Sequence, residues 1–274
     1  FAGTHAHIPA EAMHQIHRVQ SANYNFAINR TDINQFGQLA RIDTAVIDAP
    51  TVGLDFTYLV TNGVNEDALG ISVDSNNDIT PTSSAISGIL SNISGRNYHI
   101  LTVKEGSDAN NSSLQASSDS TVISIGNGFI TNYSVNASVG AVPTASVSVE
   151  GLNINAQSGA ALMTTPAIDP DAGTQGTATF GLPAPVTGSV GEVIRPGDIQ
   201  VLFAGASDEG LQGTGLLTQL VDDGGRTAAH INSFSIDLPL GRSVLQRLGN
   251  SFGFAREIDF PVQVSVSVSA TVAD

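Results

Sequence analysis

The sequence predicts a mostly β protein, a β-sandwich or barrel with one packed α-helix and long loop insertions. Three observations carry this. Apolar and polar residues alternate strictly from Ile258 to Val272, the period-two signature of a strand with one buried face. Two further blocks, at 52–60 and 122–154, repeat the alternation between turn-forming glycines, asparagines and prolines. Charged residues make up only 13% of the 274-residue chain, about half the ~25% usual in soluble domains. Ser, Thr, Asn, Gly and Ala fill the gap, and with Val and Ile they suit pleated sheets and their turns.

The elements follow in order. Residues 1–20 read as an N-terminal arm ahead of a β domain at 21–274, with Pro9 to Val19 as a short helix carrying Met13 and Ile16 on one face. A strand is expected between Leu39 and Ile47. Val52, Leu54, Phe56, Tyr58 and Val60 share one face of the next strand, which Thr61-Asn62-Gly63 ends. Val122 to Ile125 leads into Gly126-Asn127-Gly128, a hairpin signal, and then into Phe129 to Val139. After the turn Gly140-Ala141-Val142-Pro143, residues Ala145, Val147 and Val149 alternate with Ser146, Ser148 and Glu150. Ile199 to Phe203 and Ile231 to Leu238 read as strands, the latter closed by Pro239. Gly241 to Leu248 reads as the packed helix, with Val244, Leu245 and Leu248 on one face and Gly249 as its C-terminal stop. The last strand then runs unbroken from 258 to 272, with Pro261 marking an edge or bulge near its start. Stretches 72–85, 104–121 and 155–190 are rich in small polar residues, so insertions are expected at about 72–121 and 155–230.

Ten Lys and Arg stand against 25 Asp and Glu, for a net charge of −15, and Lys104 is the sole lysine. A surface that grips nucleic acid through its phosphates needs clustered cations, so specific DNA binding is excluded. The absence of cysteine excludes disulfides, thiolate nucleophiles and Cys-based zinc sites. No apolar run approaches the ~20 residues of a membrane helix, and no membrane partner is expected.

Motifs that could carry chemistry lack their context. Gly249-Asn250-Ser251-Phe252-Gly253 matches G-x-S-x-G, but that motif needs a strand before it and a histidine after it, and no histidine lies beyond His230. His5, His7, His14 and His17 crowd the N-terminus without a zinc-protease motif. Asp74-Ser75-Asn76-Asn77-Asp78 begins like a calcium loop, but Ile79 and Ala85 stand where that loop needs glycine and glutamate. Asp169-Pro170-Asp171 and Asp222-Asp223-Gly224-Gly225-Arg226 read as solvated turns, and Gly210 to Gly215 lacks the Lys-Ser/Thr of a phosphate loop. Neither a catalytic residue, a cofactor nor a metal is expected, and the chain reads as a non-enzyme.

Two segments resemble a known family. Phe129 to Gly140 followed by Ala145 to Ile154 resembles the strand, glycine turn, strand and Gly-Leu-Asn hairpin of bacteriophage tail tube (major tail) proteins and their virion relatives. Leu238 to Gly249, continued through Ala255 to Val262 and on to Val268, resembles the C-terminal region of the same proteins: helix, Leu-Gly, aromatic, Phe-Pro-Val and long strand. Val19 to Gly37, with its run Asn29-Arg30-Thr31-Asp32-Ile33-Asn34-Gln35-Phe36, adds a third stretch. The resemblance implies homohexameric rings whose sheets join into a continuous inner barrel. The rings stack into a hollow tube through which viral DNA passes without specific binding. It implies a virion tail assembled in the host cytoplasm, with tape measure, baseplate or terminator proteins as partners, and a sheath if the tail contracts. The chain is long for a minimal tube subunit, and the insertions account for the excess.

Two alternatives stand beside this reading. One is another virion structural protein, such as a decoration protein, terminator or baseplate hub. The other is a surface β-sandwich binding module. For sheet joining between subunits, the expected residues are the polar faces of Asn136, Ser138, Ser146, Ser148, Ser265, Ser267 and Ser269. For contact between rings they are the cations Arg242, Arg247 and Arg256, which could instead pair locally with Glu257 and Asp259.

Overall fold

The computed structural model describes residues 2–4, 14–48, 50–61, 63–72, 89, 95–106, 120–158, 193–196, 199, 229–249, 253 and 255–272. The described residues are mostly β, with a large antiparallel sheet and one short helix. The strands are β1 (Ala2–Thr4), β2 (Val19–Ala27), β3 (Arg30–Ile33), β4 (Asp43–Val46) and β5 (Thr51–Leu59). After α1 (Val64–Leu69) come β6 (Arg96–Val103), β7 (Ser120–Ser138), β8 (Thr144–Gly151) and β9 (Asn153–Ser158). The last are β10 (Ala229–Pro239), β11 (Arg242–Leu245), β12 (Ala255–Ile258) and β13 (Ser265–Val272).

Strand β7 organises the molecule. Its first half pairs with β6 on one side and β9 on the other; its second half pairs with β8 and β10. Two sheets therefore share one strand, in the orders β1-β6-β7-β9 and β13-β10-β7-β8-β5-β2. The change of sheet falls at Gly126-Asn127-Gly128, which is a bend inside a 19-residue strand and not the expected hairpin. Asn127 is buried at φ 53, and its N–H donates to Asn97 Oδ1 at 3.1 Å. A Cβ on Gly128 would lie 2.8 Å from Val149 and 2.9 Å from Tyr98, so only glycine lets the two sheets close here. The turn chemistry supplies the left-handed residue, but the tertiary pairing continues the strand.

The alternation expected at 52–60, 145–149 and 231–238 is realised in β5, β8 and β10. Val52, Leu54, Phe56 and Tyr58 point inward with Ala145, Val147 and Val149, against Tyr98 and Ile125 of the other sheet. The Phe56 and Tyr98 rings, one from each sheet, stand 6.4 Å apart. Helix α1 closes one end of this core through Ala68 and Leu69. It had no sequence signal: Gly63 at its N-cap offers no side-chain bond, and six residues are too few to display a 3.6-residue period. Its C-terminus is capped by Gly70 at φ 92.

Four further expectations are corrected. Gly241 to Leu248 is not a helix; its core is β11, paired in register with β12 from Arg242↔Ile258 to Leu245↔Ala255. Apolar residues at i, i+1 and i+4 within eight positions fit either structure, and a non-local partner decides. The strand expected over 258–272 is broken: β12 ends at Ile258, the Phe260–Pro261 peptide is cis, and β13 begins at Ser265 with a different partner, β10. Pro261 has no N–H to donate to a ladder. The insertion expected at 72–121 contains β6, a core strand with buried Asn97, Tyr98 and His99, as well as the start of β7. Finally, residues 14–18 are not helical, and the segment is not a free arm. Ala2–Thr4 pairs with β6, Ile16 is buried, and Asn65 of α1 clamps the backbone of His17.

The strand expected between Leu39 and Ile47 is β4, which pairs with β3 in a separate hairpin. The strand expected at 199–203 lies outside the described residues apart from Ile199, as do the expected loop at 72–85 (apart from Ser72), most of the insertion at 155–230, and the motifs at 74–78, 169–171, 210–215 and 222–226.

Candidate subunit interface

Cross-strand register builds a polar face from residues that sequence alternation made polar. One row runs straight across six strands: Ser265, Asp237, Ser134, Ser146, Thr57 and Ser21. A second runs Ser267, Ser235, Asn136 and Thr144, and a third runs Asn132, Ser148, Asp55 and Asn23. No lysine or arginine stands in these rows. Ser148 Oγ donates to Asp55 Oδ1 at 2.6 Å, and Asn132 Nδ2 donates to Asp237 Oδ1 at 3.1 Å. All seven polar residues singled out from the sequence thus share one face. Four of them, Asn136, Ser138, Ser267 and Ser269, line a groove of about 550 Å³ together with Ser233 and Ser235.

The opposite face is core in the middle and bare at both ends. Among the described residues only β10 pairs with β13, and only β5 pairs with β2. Every described side chain of either strand is exposed. On β13, Val266 is 60% exposed, and on β2 Tyr24 and Phe26 are 47% and 59% exposed. Monomeric β proteins blunt such edges with charge, proline or a covering loop. Here both edges present alternating small polar and apolar residues, without a lysine or arginine in either strand. Sequence reasoning did not single out β2, although Ser21-Ala22-Asn23-Tyr24-Asn25-Phe26 alternates as cleanly as β13 does.

Strand β2 leads directly into the β3–β4 hairpin, whose exposed Ile33, Phe36, Leu39, Ile42 and Val46 face solvent. Phe36 and Leu39, near Gly37 at the tip, are fully exposed. Arg41 and Asp32 pair across the hairpin at 3.1 Å.

The three arginines occupy a different place. Arg256 is buried, donating from Nη1 to the Glu150 carbonyl oxygen and from Nη2 to Glu150 Oε1, each at 3.1 Å. Its guanidinium lies 5.5 Å from the centre of the Phe129 ring, and that of Arg242 lies 4.7 Å from it. Arg242 also donates to the Ile89 carbonyl oxygen. Burial lowers the pKa of both, with mutual repulsion adding for Arg242 and Glu150 opposing the shift for Arg256. These two cations fasten the β11–β12 hairpin onto β7 and β8 through a shared ring. Neither is open to another molecule through the groups engaged here, and the partner of Arg256 is Glu150, not the local Glu257 or Asp259. Arg247 is exposed beyond β11.

Inside, His99 and Ser124 form a buried pair, with Nδ1 and Oγ 2.7 Å apart. Desolvation pushes the imidazole down to about 3. The unfolded chain therefore binds a proton near pH 6.5 that the folded chain refuses, and stability falls as pH drops below that value. At pH 5 the penalty from this group is about 2 kcal/mol, taking 1.36 kcal/mol per unit. Urea titrations at pH 7.5 and 5.0 are expected to show His99→Gln losing less stability on acidification than the parent by about that amount; equal losses would remove His99 from the account.

Among the described residues no three His, Asp or Glu side chains converge as metal ligands, and no helix is long and apolar enough to cross a membrane. No protein-family model matches the chain, and no curated protein is significantly similar to it in sequence.

Proposed function

We propose that this chain is a structural virion protein, the subunit of a phage tail tube, forming rings that stack into a hollow conduit for DNA. The carrying observation is the pair of amphipathic edges, open among the described residues, at the two ends of one six-stranded sheet. In six antiparallel strands the first and last run in opposite directions. A copy rotated about an axis along the strands therefore presents β2 antiparallel to β13, and the junction continues the pattern of the sheet. Such head-to-tail contact is heterologous and closes into a ring when the rotation divides the circle, removing both edges. The resemblance of the chain to tail tube proteins supports six copies.

The cation-free polar face supports a lumen lining: hydroxyls, amides and the carboxylates of Asp55 and Asp237 hold no phosphate and repel a passing duplex. The exposed β3–β4 hairpin supports stacking, since an apolar tip of this kind seeks cover on a neighbouring molecule. The role in stacking therefore moves from Arg242 and Arg256, which are engaged within the chain, to Phe36 and Leu39. Tape measure, baseplate or terminator proteins, and a sheath if the tail contracts, are the further partners, in a virion tail assembled in the host cytoplasm.

Negative-stain electron microscopy of the purified chain at rising concentration tests this. Hollow tubes of stacked rings are expected. Isolated rings would favour a terminator or hub, and a monomer at every concentration would overturn the assembly reading.

A further inference from the structure

We infer that the junction has one specific register, in which Ser265, Ser267 and Ser269 of one copy stand opposite Ala27, Asn25 and Asn23 of the next. The inference rests on the ring reading above and adds to it the identity of the paired residues.

Three constraints lead there. Polarity comes first: six alternating strands require β13 and β2 to meet antiparallel. Parity comes second. A slip of one residue would turn every side chain to the wrong face, so Ser265, Ser267 and Ser269 must oppose members of the set Ser21, Asn23, Asn25 and Ala27, which occupy the same face of the sheet. Overlap comes third, since maximal pairing of Ser265–Val272 with Val19–Ala27 satisfies the most backbone donors and acceptors. The register that keeps parity and pairs the whole of β13 within β2 puts Ser265 opposite Ala27.

The apolar side chains support the same alignment. Val266 then faces Phe26 and Val268 faces Tyr24, so side chains exposed on both copies cover one another.

The absence of cysteine makes the register directly readable by cross-linking. Two double variants each carry one cysteine on either edge at adjacent pairs, Ser267→Cys with Asn25→Cys and Val266→Cys with Phe26→Cys. One of two adjacent antiparallel pairs is the non-hydrogen-bonded kind, with Cα atoms about 4.5 Å apart, within disulfide range. An offset variant, Ser267→Cys with Ser21→Cys, moves one thiol about 13 Å along the strand at ~3.3 Å per residue. All the altered side chains on β2 and β13 are exposed, so folding is expected to survive and circular dichroism verifies it. After mild oxidation of assembled protein, non-reducing electrophoresis is expected to show a ladder up to the ring number for at least one adjacent-pair variant, collapsing with reductant, and none for the offset variant. Rings that form but cross-link only through the offset pair, or through neither, would overturn the register while leaving the ring reading intact. Protein that neither cross-links nor assembles, while the parent chain is also monomeric, would overturn both.

Discussion

With Val266 replaced by lysine, the purified chain is expected to fold normally and to lose ring and tube assembly. Val266 is 60% exposed, so the monomer pays little; surface changes of this kind stay within about 0.5 kcal/mol. In the proposed junction the same position is covered by the next copy, and burying an unpaired ammonium there costs several kcal/mol. A penalty of about 3 kcal/mol per junction lowers each contact roughly a hundredfold, at 1.4 kcal/mol per factor of ten. An inward-pointing lysine is also the device by which natural edge strands refuse partners. Sedimentation velocity with electron microscopy reads the outcome. Val266→Thr, which keeps β propensity without charge, is the control expected to retain assembly. A Val266→Lys protein that forms tubes at the concentration of the parent would sink edge joining as the mechanism.

The largest stability effect is expected at Tyr58. Its side chain is fully buried, its ring stacks 6.3 Å from Phe56, and its hydroxyl donates to Glu66 Oε1 at 2.8 Å. Burial beside Tyr133 and Glu66 pushes the phenol far upward, so it stays a donor at every working pH. Tyr58→Ala empties the centre of the core and is expected to cost about 3–5 kcal/mol. Tyr58→Phe removes only the hydroxyl. Because Tyr133 still donates to the same Glu66 oxygen at 3.1 Å, that change is expected to cost about 1 kcal/mol. Urea midpoints at constant slope separate the two. A Tyr58→Ala protein within 1 kcal/mol of the parent would contradict the place of Tyr58 at the centre of the buried core.

How much of this was legible in the sequence depended on whether an element is fixed locally. Strands β5, β8 and β10 were readable because each buries one face, and burial writes a period of two. The polar face was readable for the same reason, and the seven residues chosen from it do share one surface. The second edge, β2, shows the same alternation, but alternation alone does not tell an edge strand from a central one. Where the partner is distant, local pattern failed. Val244 and Leu245 look helical until Ala255 to Ile258 pairs with them, and Gly126-Asn127-Gly128 looks like a hairpin until strands on both sides carry β7 through it. Arg242 and Arg256 looked like a surface cluster because nothing local announces that Phe129 and Glu150, more than a hundred residues earlier, will take them up. Glu66 gave no signal either, since its role depends on tyrosines from two different strands.

The order of strands along the chain also sets an order in time. During synthesis β2 emerges early, whereas β13 follows every other described strand and finds its place only after β10 has docked on β7. Half of the proposed joint is therefore absent until residues 265–272 have been made. Until then neighbouring nascent chains display β2 without a matching edge, and the proposed joining waits for β13. On that reading the subunit is kept apart from its own copies during the interval when its apolar strands are most open to misjoining.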